Sequence, residues 1–164
     1  MKLYLFRHAP ALERHVFAQT EQPDEFRPLT EKGAQRMREV LSFFQKRESQ
    51  IDLILQSPLI RCQETGDIMK EFFPQAQLIT TEHLSPNHSA LKLYEKIVKN
   101  FHLDSIALIG HEPDLGQFLS WLLIGQATNH FPIKKAGVAK LDLYEDGRRY
   151  LKWVLRPKFI LNSK

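Results

Sequence analysis

Arginine and histidine residues stand where three of the predicted strands end. Arg7 and His8 close the first strand. Arg61 comes shortly after the second strand, and His111 follows the fourth. The carboxyl ends of parallel strands share one edge of a sheet, and ligands of open α/β sheets bind beyond that edge. If these strands are parallel neighbours, two arginines and two histidines converge on one crevice.

Such a set of side chains suits a phosphoryl group. Arginine guanidinium groups match phosphate oxygens bidentately, and a helix that begins at Pro58 or Pro113 adds backbone N–H groups. A neutral imidazole can accept the phosphoryl group covalently before water removes it. Its second ring nitrogen should then be held by a hydrogen-bond acceptor. Because the arginines supply positive charge, the sequence predicts no metal and no other cofactor.

The elements that must position these residues alternate between strand and helix. Strands are predicted at residues 2–8, 51–56, 77–82, 105–110, 136–144 and 150–155. Helices are predicted at 31–46, 58–73, 87–101 and 113–125, with a long loop at 9–29 and a hairpin turn at Asp146-Gly147. This order predicts a three-layer α/β/α fold with a mostly parallel central sheet, in a single domain of residues 1–164.

Composition and length narrow the class of protein. A chain of 164 residues with 43% hydrophobic and 26% charged residues is typical of one globular domain. The single cysteine, Cys62, rules out an intramolecular disulfide and a cysteine-rich zinc site. Apolar runs stay far below the ~20 residues that span a bilayer and the ~7–15 residues of a signal-peptide core. We therefore expect a cytoplasmic protein.

The net charge of +4 comes from one end of the chain. Residues 1–144 carry 17 basic and 17 acidic residues, whereas residues 145–164 carry 6 basic and 2 acidic ones. A uniformly cationic nucleic-acid-binding face is therefore not indicated. The basic C-terminal stretch, from Arg148 onwards, is either solvated or a docking surface for an acidic phosphoprotein.

Four short pieces of the chain, taken together, identify a family. They are Leu5–Ala9 (LFRHA), Arg27–Gly33 (RPLTEKG), Ser57–Thr65 (SPLIRCQET) and Gly110–Pro113 (GHEP). In order and spacing they resemble the histidine phosphatase superfamily, and most closely its small phosphohistidine phosphatases of the SixA type. The resemblance spans residues 3 to about 116. It implies the phosphoglycerate mutase-like form of the α/β fold.

The resemblance also implies roles for individual residues. His8 would be the phosphorylated nucleophile. Arg7, Arg61 and His111 would form the rest of the phosphate pocket. Arg27 would bind substrate near the mouth of the pocket, unless it only pairs with an acidic residue of its own loop.

The proton donor is the gap in this pattern. Larger members of the superfamily carry a glutamate after the third strand, where this chain reads TEHLSP over residues 81–86. Glu82 and His83 are therefore candidate proton donors, and the alternative is a solvated strand end. A phosphohistidine with a protonated imidazole has a good leaving group and needs little help from an acid.

Together these features predict a metal-independent phosphatase. Its expected substrate is phosphohistidine on a signalling or phosphotransfer protein, with a phospho-His8 intermediate and inorganic phosphate as product. Between Pro74 and Asn87 there is room for a strand and a turn only, so no large cap insertion is expected over the pocket. The alternatives are a general small-molecule phosphomonoesterase and a catalytically weak phospho-ligand-binding module. No nucleic-acid or membrane partner is expected.

Overall fold

The computed structural model describes residues 1–98, 100 and 102–161. Its strands are β1 (Lys2–Arg7), β2 (Leu53–Gln56), β3 (Gln77–Thr80), β4 (Ser105–Gly110), β5 (Val138–Leu143) and β6 (Arg149–Leu155). Its α-helices are α1 (Arg14–Phe17), α2 (Glu31–Gln45), α3 (Ile60–Phe72), α4 (Ala90–Val98), α5 (Asp114–Ile124) and α6 (Pro157–Leu161). Three short 3₁₀ helices lie at Ala18–Thr20, Asp24–Phe26 and Glu82–Leu84.

The six strands form one sheet in the order β3-β2-β4-β1-β5-β6. The first four of these are parallel to one another, and β5 and β6 close one edge as an antiparallel hairpin. The register pairs Arg7 of β1 with Gly110 of β4, and Gln56 of β2 with Ile109. The strand ends that precede His8, Ser57 and His111 therefore lie side by side, and the predicted mostly parallel sheet is confirmed.

Helices cover both faces of the sheet. Tyr4 and Phe6 of β1 belong to a buried cluster with α2 and α3, in which the rings of Phe6 and Phe44 meet edge to face at 5.2 Å. Leu3 and Leu5 of the same strand belong to a second buried cluster with α4 and α5. Successive side chains of a strand point to opposite faces, so β1 contributes to both layers. The predicted three-layer α/β/α architecture is confirmed.

Helix α2 begins where its capping signal predicts. The backbone N–H of Gly33 donates to the Thr30 hydroxyl at 2.9 Å, which satisfies one of the unpaired N–H groups of the first turn. The start of α2 also packs closely on the loop after β1, since a Cβ at residue 33 would collide with the carbonyl oxygen of Pro10. Glycine at this position therefore lets the helix approach the loop that carries His8.

Two predicted helix starts are wrong by two or three residues. Helix α3 begins at Ile60 rather than at Ser57-Pro58, because the Ser57 hydroxyl is bonded to His111 and Leu59 stays extended. Helix α4 begins at Ala90 rather than at Asn87, whose φ of 68° lies in the left-handed region. The predicted end of this helix at Phe101 lies outside the described residues.

Further departures from the predicted elements lie in the loop after β1, at the end of the predicted strand 77–82, and after β6. The predicted loop 9–29 contains α1 and two 3₁₀ helices. Strand β3 ends at Thr80, and Thr81 then accepts a hydrogen bond from the backbone N–H of His83 and caps the third 3₁₀ helix. Helix α6 was not expected. No helix in the described part of the chain is long and apolar enough to cross a membrane.

Candidate active site

A cavity of about 240 Å³ opens at the carboxyl edge of the parallel strands. Five predicted site residues line it, namely Arg7, His8, Arg27, Arg61 and His111. The other lining residues are Glu13, Arg14, Pro86, Glu112 and Lys135, which the sequence analysis did not select. The rings of His8 and His111 lie 5.2 Å apart between centroids.

His8 is held in one orientation by backbone contacts. Its Nδ1–H donates to the carbonyl oxygen of Ala9 at 2.7 Å, as expected for a nucleophilic imidazole. The backbone of His8 donates to Gly110 of β4 and accepts from Ala136 before β5. The next N–H, that of Ala9, donates to the Thr65 hydroxyl of α3 at 3.2 Å. With Nδ1 carrying the proton, the lone pair of Nε2 is available for attack at phosphorus.

One face of α3 joins the site to its surroundings. The buried guanidinium of Arg61 lines the cavity. Three residues later, the Glu64 carboxylate accepts the backbone N–H of Leu29 at 2.6 Å, and Thr65 holds Ala9. Residues at i, i+3 and i+4 share a helix face, so this spacing lets one helix place Arg61 at the cavity and fix both loops beside it. Sequence reasoning found the segment as a motif and did not assign Glu64 or Thr65.

Asp24 joins three of the arginines that line the cavity, and its carboxylate lies 3.7 Å from Nε of the exposed Arg14. Its carboxylate accepts from Nε of Arg27 at 2.7 Å and lies 3.2 Å from a terminal nitrogen of Arg61. Its backbone carbonyl accepts from the other terminal nitrogen of Arg61 at 2.9 Å. Burial opposes ionisation, but the hydrogen bond from Arg27 and the charge of Arg61 hold the pKa of Asp24 below its ordinary value. Arg27 therefore both lines the cavity and pairs with an acid of its own loop.

Arg7 is anchored through the segment before β5. Its guanidinium donates to the carbonyl oxygen of Ile133 at 3.0 Å, while the N–H of Ile133 donates to the Glu112 carboxylate at 2.9 Å. Burial raises the pKa of Glu112. Glu112 belongs to the GHEP piece, so the sequence motif pointed to this residue. The motif did not indicate that Glu112 holds the segment before β5.

Among the described residues, the imidazole of His111 has hydrogen-bond partners at Nε2 alone. Its Nε2 lies 2.8 Å from the Ser57 hydroxyl, which itself accepts from the N–H of Leu59. When the Ser57 hydroxyl donates to Nε2, the proton of His111 lies on Nδ1. The Cys62 thiol lies 3.5 Å from the same Nε2, and burial raises the pKa of that thiol to about 12. Cys62 is thus a buried thiol, as its position on the helix predicts.

Three buried nitrogens of the site have no hydrogen-bond partner among the described residues. They are Nε of Arg7, Nε of Arg61 and Nδ1 of His111. An unpaired buried donor costs about 1–3 kcal/mol. A tetrahedral oxyanion presents several acceptor atoms at once, so a phosphoryl group fits the chemistry of this set of donors.

Glu82 and His83 lie apart from the cavity lining. Glu82 is exposed and its carboxylate accepts from the hydroxyl of Ser85 at 2.7 Å. The acidic residues that line the cavity are Glu13 and Glu112. The assignment of Glu82 or His83 as proton donor stays a prediction.

Both histidines of the site are held neutral. Burial lowers the pKa of His8 from 6.5 to about 3, and the charges of Arg61 and Arg7 act in the same direction. Burial likewise lowers the pKa of His111 from 6.5 to about 3, with further contributions from His8 and Arg61. His8 is therefore unprotonated at its attacking nitrogen at neutral pH, the state that a nucleophile requires.

These depressed pKa values predict how stability varies with pH. Below pH 6.5 the unfolded chain protonates His8 and the folded chain does not, so the free energy of unfolding falls as the pH falls towards about 3. Urea unfolding at pH 7 and pH 5 measures this. Between these two pH values, the free energy of unfolding of His8→Gln should fall by about 1–2 kcal/mol less than that of the wild type.

The exposed His15 offers a matched control for that measurement. His15→Gln should follow the wild-type pH dependence. An identical loss of stability in His8→Gln and the wild type would show that His8 titrates in the folded protein near its ordinary pKa.

Sequence comparison places the chain in a family. The sequence model of the histidine phosphatase superfamily (branch 1) matches residues 3–86. The chain belongs to this superfamily. An uncharacterized protein of Picosynechococcus sp. is 32% identical to it, over 98% of this chain and 99% of the relative. The chain is therefore a phosphatase, as its four motif pieces predict.

Solved structures share the fold over almost the whole chain. SixA from Agrobacterium tumefaciens is 26% identical, with a TM-score of 0.80 over 95% of this chain and 97% of that one. The protein histidine phosphatase SixA complexed with tungstate is 22% identical, with a TM-score of 0.81 over 100% of both chains. The alpha-ribazole phosphatase from Shigella flexneri is 14% identical, with a TM-score of 0.76 over 96% and 97%. The fold is phosphoglycerate mutase-like, and this phosphatase is of the SixA type.

Proposed function

We propose that the protein hydrolyses phosphohistidine on a signalling or phosphotransfer protein through a phospho-His8 intermediate. The observation that carries the proposal is the pairing of a neutral His8, oriented by Ala9, with buried nitrogens of Arg7, Arg61 and His111 that have no partner among the described residues. A nucleophile surrounded by donors for phosphate oxygens is what covalent phosphoryl transfer requires.

In the first step, Nε2 of His8 attacks phosphorus. The new N–P bond forms while the bond from phosphorus to the substrate imidazole breaks. The substrate imidazole enters protonated on its other nitrogen and leaves as a neutral ring, so no strong acid is needed. Arg7 and Arg61 stabilise the charge on the equatorial phosphoryl oxygens in the transition state.

In the second step, water attacks the phosphorus of phospho-His8. The oxygen of water forms the new bond to phosphorus as the bond to Nε2 breaks. Both protons of the water remain on the product, which is released as dihydrogen phosphate. His8 returns to the neutral form with its proton on Nδ1, where the Ala9 carbonyl retains it.

The opening of the cavity supports a protein substrate. Between Pro74 and Asn87 the chain forms only β3 and one short 3₁₀ helix, so this connection places no large segment over the histidines. A phosphoryl group carried on a folded protein can therefore enter without displacing a cap. The SixA protein of the tungstate complex is a protein histidine phosphatase, which supports the same class of substrate.

A small-molecule phosphomonoesterase is the second candidate function. The alpha-ribazole phosphatase has the same fold, and a cavity of about 240 Å³ accommodates a phosphoryl group with part of a small leaving group. Phosphoester substrates place a poorer leaving group on phosphorus, so this function depends more strongly on a proton donor.

Steady-state kinetics with three substrates separates these functions. The substrates are a phosphohistidine peptide, a phosphoserine peptide of otherwise identical sequence, and p-nitrophenyl phosphate. We expect kcat/KM for phosphohistidine to exceed that for phosphoserine by at least about tenfold, because the protonated imidazole leaves without an acid. Equal or faster hydrolysis of phosphoserine would contradict the proposal and favour the phosphomonoesterase.

A further inference from the structure

A second hollow, with a volume of about 450 Å³, lies beside the candidate active site. Six basic side chains line it. Five of them form what we call the basic surface, namely Arg36, Lys134, Lys135, Arg156 and Lys158. Arg7 and Pro157 complete its lining. Arg7 and Lys135 also line the active-site cavity, so the two hollows adjoin.

The fold brings the basic surface together from three places in the chain. Arg36 lies on α2, Lys134 and Lys135 lie in the segment between α5 and β5, and Arg156 and Lys158 follow β6. The pairing of Val138 with Leu155 places the end of β6 beside the start of β5. The same segment bonds to Arg7 and to His8 through Ile133 and Ala136. The basic surface is thus tied to the loops that carry the catalytic candidates.

The positive charge of the basic surface is not neutralised within the described chain. Among residues 1–98, 100 and 102–161, none of its five side chains forms a salt bridge. Lys134, Arg156 and Lys158 are exposed, and Arg36 and Lys135 are partly so. Like charges at close range repel one another. Opposite charge on a partner relieves this repulsion, so an acidic partner binds the basic surface more tightly and associates with it faster.

The basic charge of the C-terminal stretch divides between two ends of the hairpin. Arg148 pairs with Asp146, and the guanidinium of Arg149 lies 4.6 Å from the ring centre of Tyr94. These two arginines lie at the far end of β6, about 20 Å from Arg156 at ~3.3 Å per residue. Of the described basic residues in this stretch, Arg156 and Lys158 line the hollow beside the active site.

We propose that the basic surface docks an acidic protein surface that flanks the phosphohistidine of the substrate. This inference rests on the proposed function, and it names the chemistry of the partner. Because Arg7 and Lys135 line both hollows, a partner that spans them carries its phosphoryl group into the cavity and further negative charge beside it. Aspartate and glutamate side chains around a phosphohistidine meet that requirement.

The test uses two phosphohistidine peptides and one small substrate. One peptide has aspartate and glutamate flanks, the other has lysine flanks, and p-nitrophenyl phosphate reports activity in the cavity alone. The variant is Arg156→Glu with Lys158→Glu, two exposed residues outside the cavity lining. The control is Lys46→Glu with Arg148→Glu, which changes the net charge equally at exposed positions outside the lining of both hollows.

We expect the variant to raise KM for the acidic peptide by about 10- to 100-fold, because two attractive charge contacts become repulsive. Hydrolysis of p-nitrophenyl phosphate should stay within about twofold, and the control should match the wild type. The preference of the wild type for the acidic peptide should also shrink as salt is raised from about 50 to 300 mM.

Three outcomes would overturn the docking proposal. One is equal turnover of both peptides by the wild type. Another is a loss of activity in the variant that is as large on p-nitrophenyl phosphate as on the acidic peptide. The third is binding of anionic phosphatidylserine vesicles or of duplex DNA, but not of the acidic peptide, in a manner that the variant abolishes. Such binding would assign the basic surface to a different partner.

A binding measurement separates this failure from that of the proposed function. Fluorescence anisotropy measures binding of the acidic peptide to the His8→Ala protein and requires no turnover. Weaker binding when Arg156→Glu and Lys158→Glu are added supports docking even if phosphohistidine proves a poor substrate. Unchanged binding overturns docking even if phosphohistidine is hydrolysed well.

Discussion

Replacing His8 by alanine should lower kcat by about 10⁴-fold or more on every phosphorylated substrate, because removal of a covalent nucleophile leaves only binding and electrostatic stabilisation. The imidazole is neutral and its Nδ1 is bound to Ala9, which orients Nε2 for attack. The ring of His111 is also neutral, but its centre lies 5.2 Å away and its own Nε2 contacts Ser57. The residual rate should follow the intrinsic reactivity of the substrate, so it should be higher for the phosphohistidine peptide than for the phosphoester peptide. Single-turnover kinetics with p-nitrophenyl phosphate and with the phosphohistidine peptide measures the loss.

Trapping the intermediate tests the same residue independently of rate. Acid-labile, base-stable phosphate should appear on the wild type after rapid quenching at high pH, and peptide mapping should place it on His8. His8→Ala should carry none. In the described part of the chain, the exposed ring of His130 forms a hydrogen bond with Thr128 alone, and His130→Ala serves as a control with wild-type activity. Retention of more than about a tenth of wild-type kcat in His8→Ala would exclude the phospho-His8 mechanism.

Loss of the Arg61 guanidinium is the second large effect that we expect. Arg61→Ala should lower kcat/KM by about 10²–10³-fold, comparable to the removal of an oxyanion-hole donor. The side chain is buried and its Nε has no partner among the described residues, while its terminal nitrogens are held by Asp24. The loss should also appear as weaker binding of inorganic phosphate or tungstate, measured by calorimetry.

Conservative variants distinguish this role from a structural one. Arg61→Lys keeps the charge but cannot present two parallel donors, so it should recover only part of the lost kcat/KM. Asp24→Asn removes the carboxylate that joins Arg27 to Arg61 and should weaken anion binding less than Arg61→Ala does. As a matched control, Arg38 forms an exposed bidentate pair with Glu71, and Arg38→Ala should keep full activity.

A combined result would show that Arg61 does not bind the anion. If Arg61→Ala unfolded at lower urea concentration but bound tungstate as tightly as the wild type, its place between α3 and Asp24 would be structural only. Arg38→Ala shows how much stability the loss of an exposed ion pair costs, since such a pair contributes about 0–1 kcal/mol to the free energy of unfolding.

Local patterns in the chain predicted most of the fold. The boundaries of β1 and β4 follow from continuous apolar runs, and Thr30 caps α2 through a contact three residues away. The errors occur where a distant partner overrides a local signal. Ser57 has the type and position of a helix cap, yet its hydroxyl bonds to His111, 54 residues away. No window around Ser57 contains that information.

Prediction of the site was uneven for the same reason. His8, Arg7, Arg61 and His111 were selected because strand ends and motif pieces name them, and all four line one cavity with Arg27. Asp24, Glu64, Thr65 and Glu112 act by holding other residues in place. Their partners lie 37, 35, 56 and 21 residues away, respectively. Such contacts depend on how the sheet and helices pack, which spacing alone does not report.

The sequence by itself determined which residues could carry phosphoryl chemistry and at which strand ends they stand, because residue type, hydrophobic period and caps are local properties. Only the tertiary structure decided that β1 lies beside β4, which brings the rings of His8 and His111 to 5.2 Å. It also separated Arg156 and Lys158 from Arg148 and Arg149, although all four belong to one basic stretch. Strand order and register join residues about a hundred positions apart, and burial in that arrangement holds the imidazoles neutral.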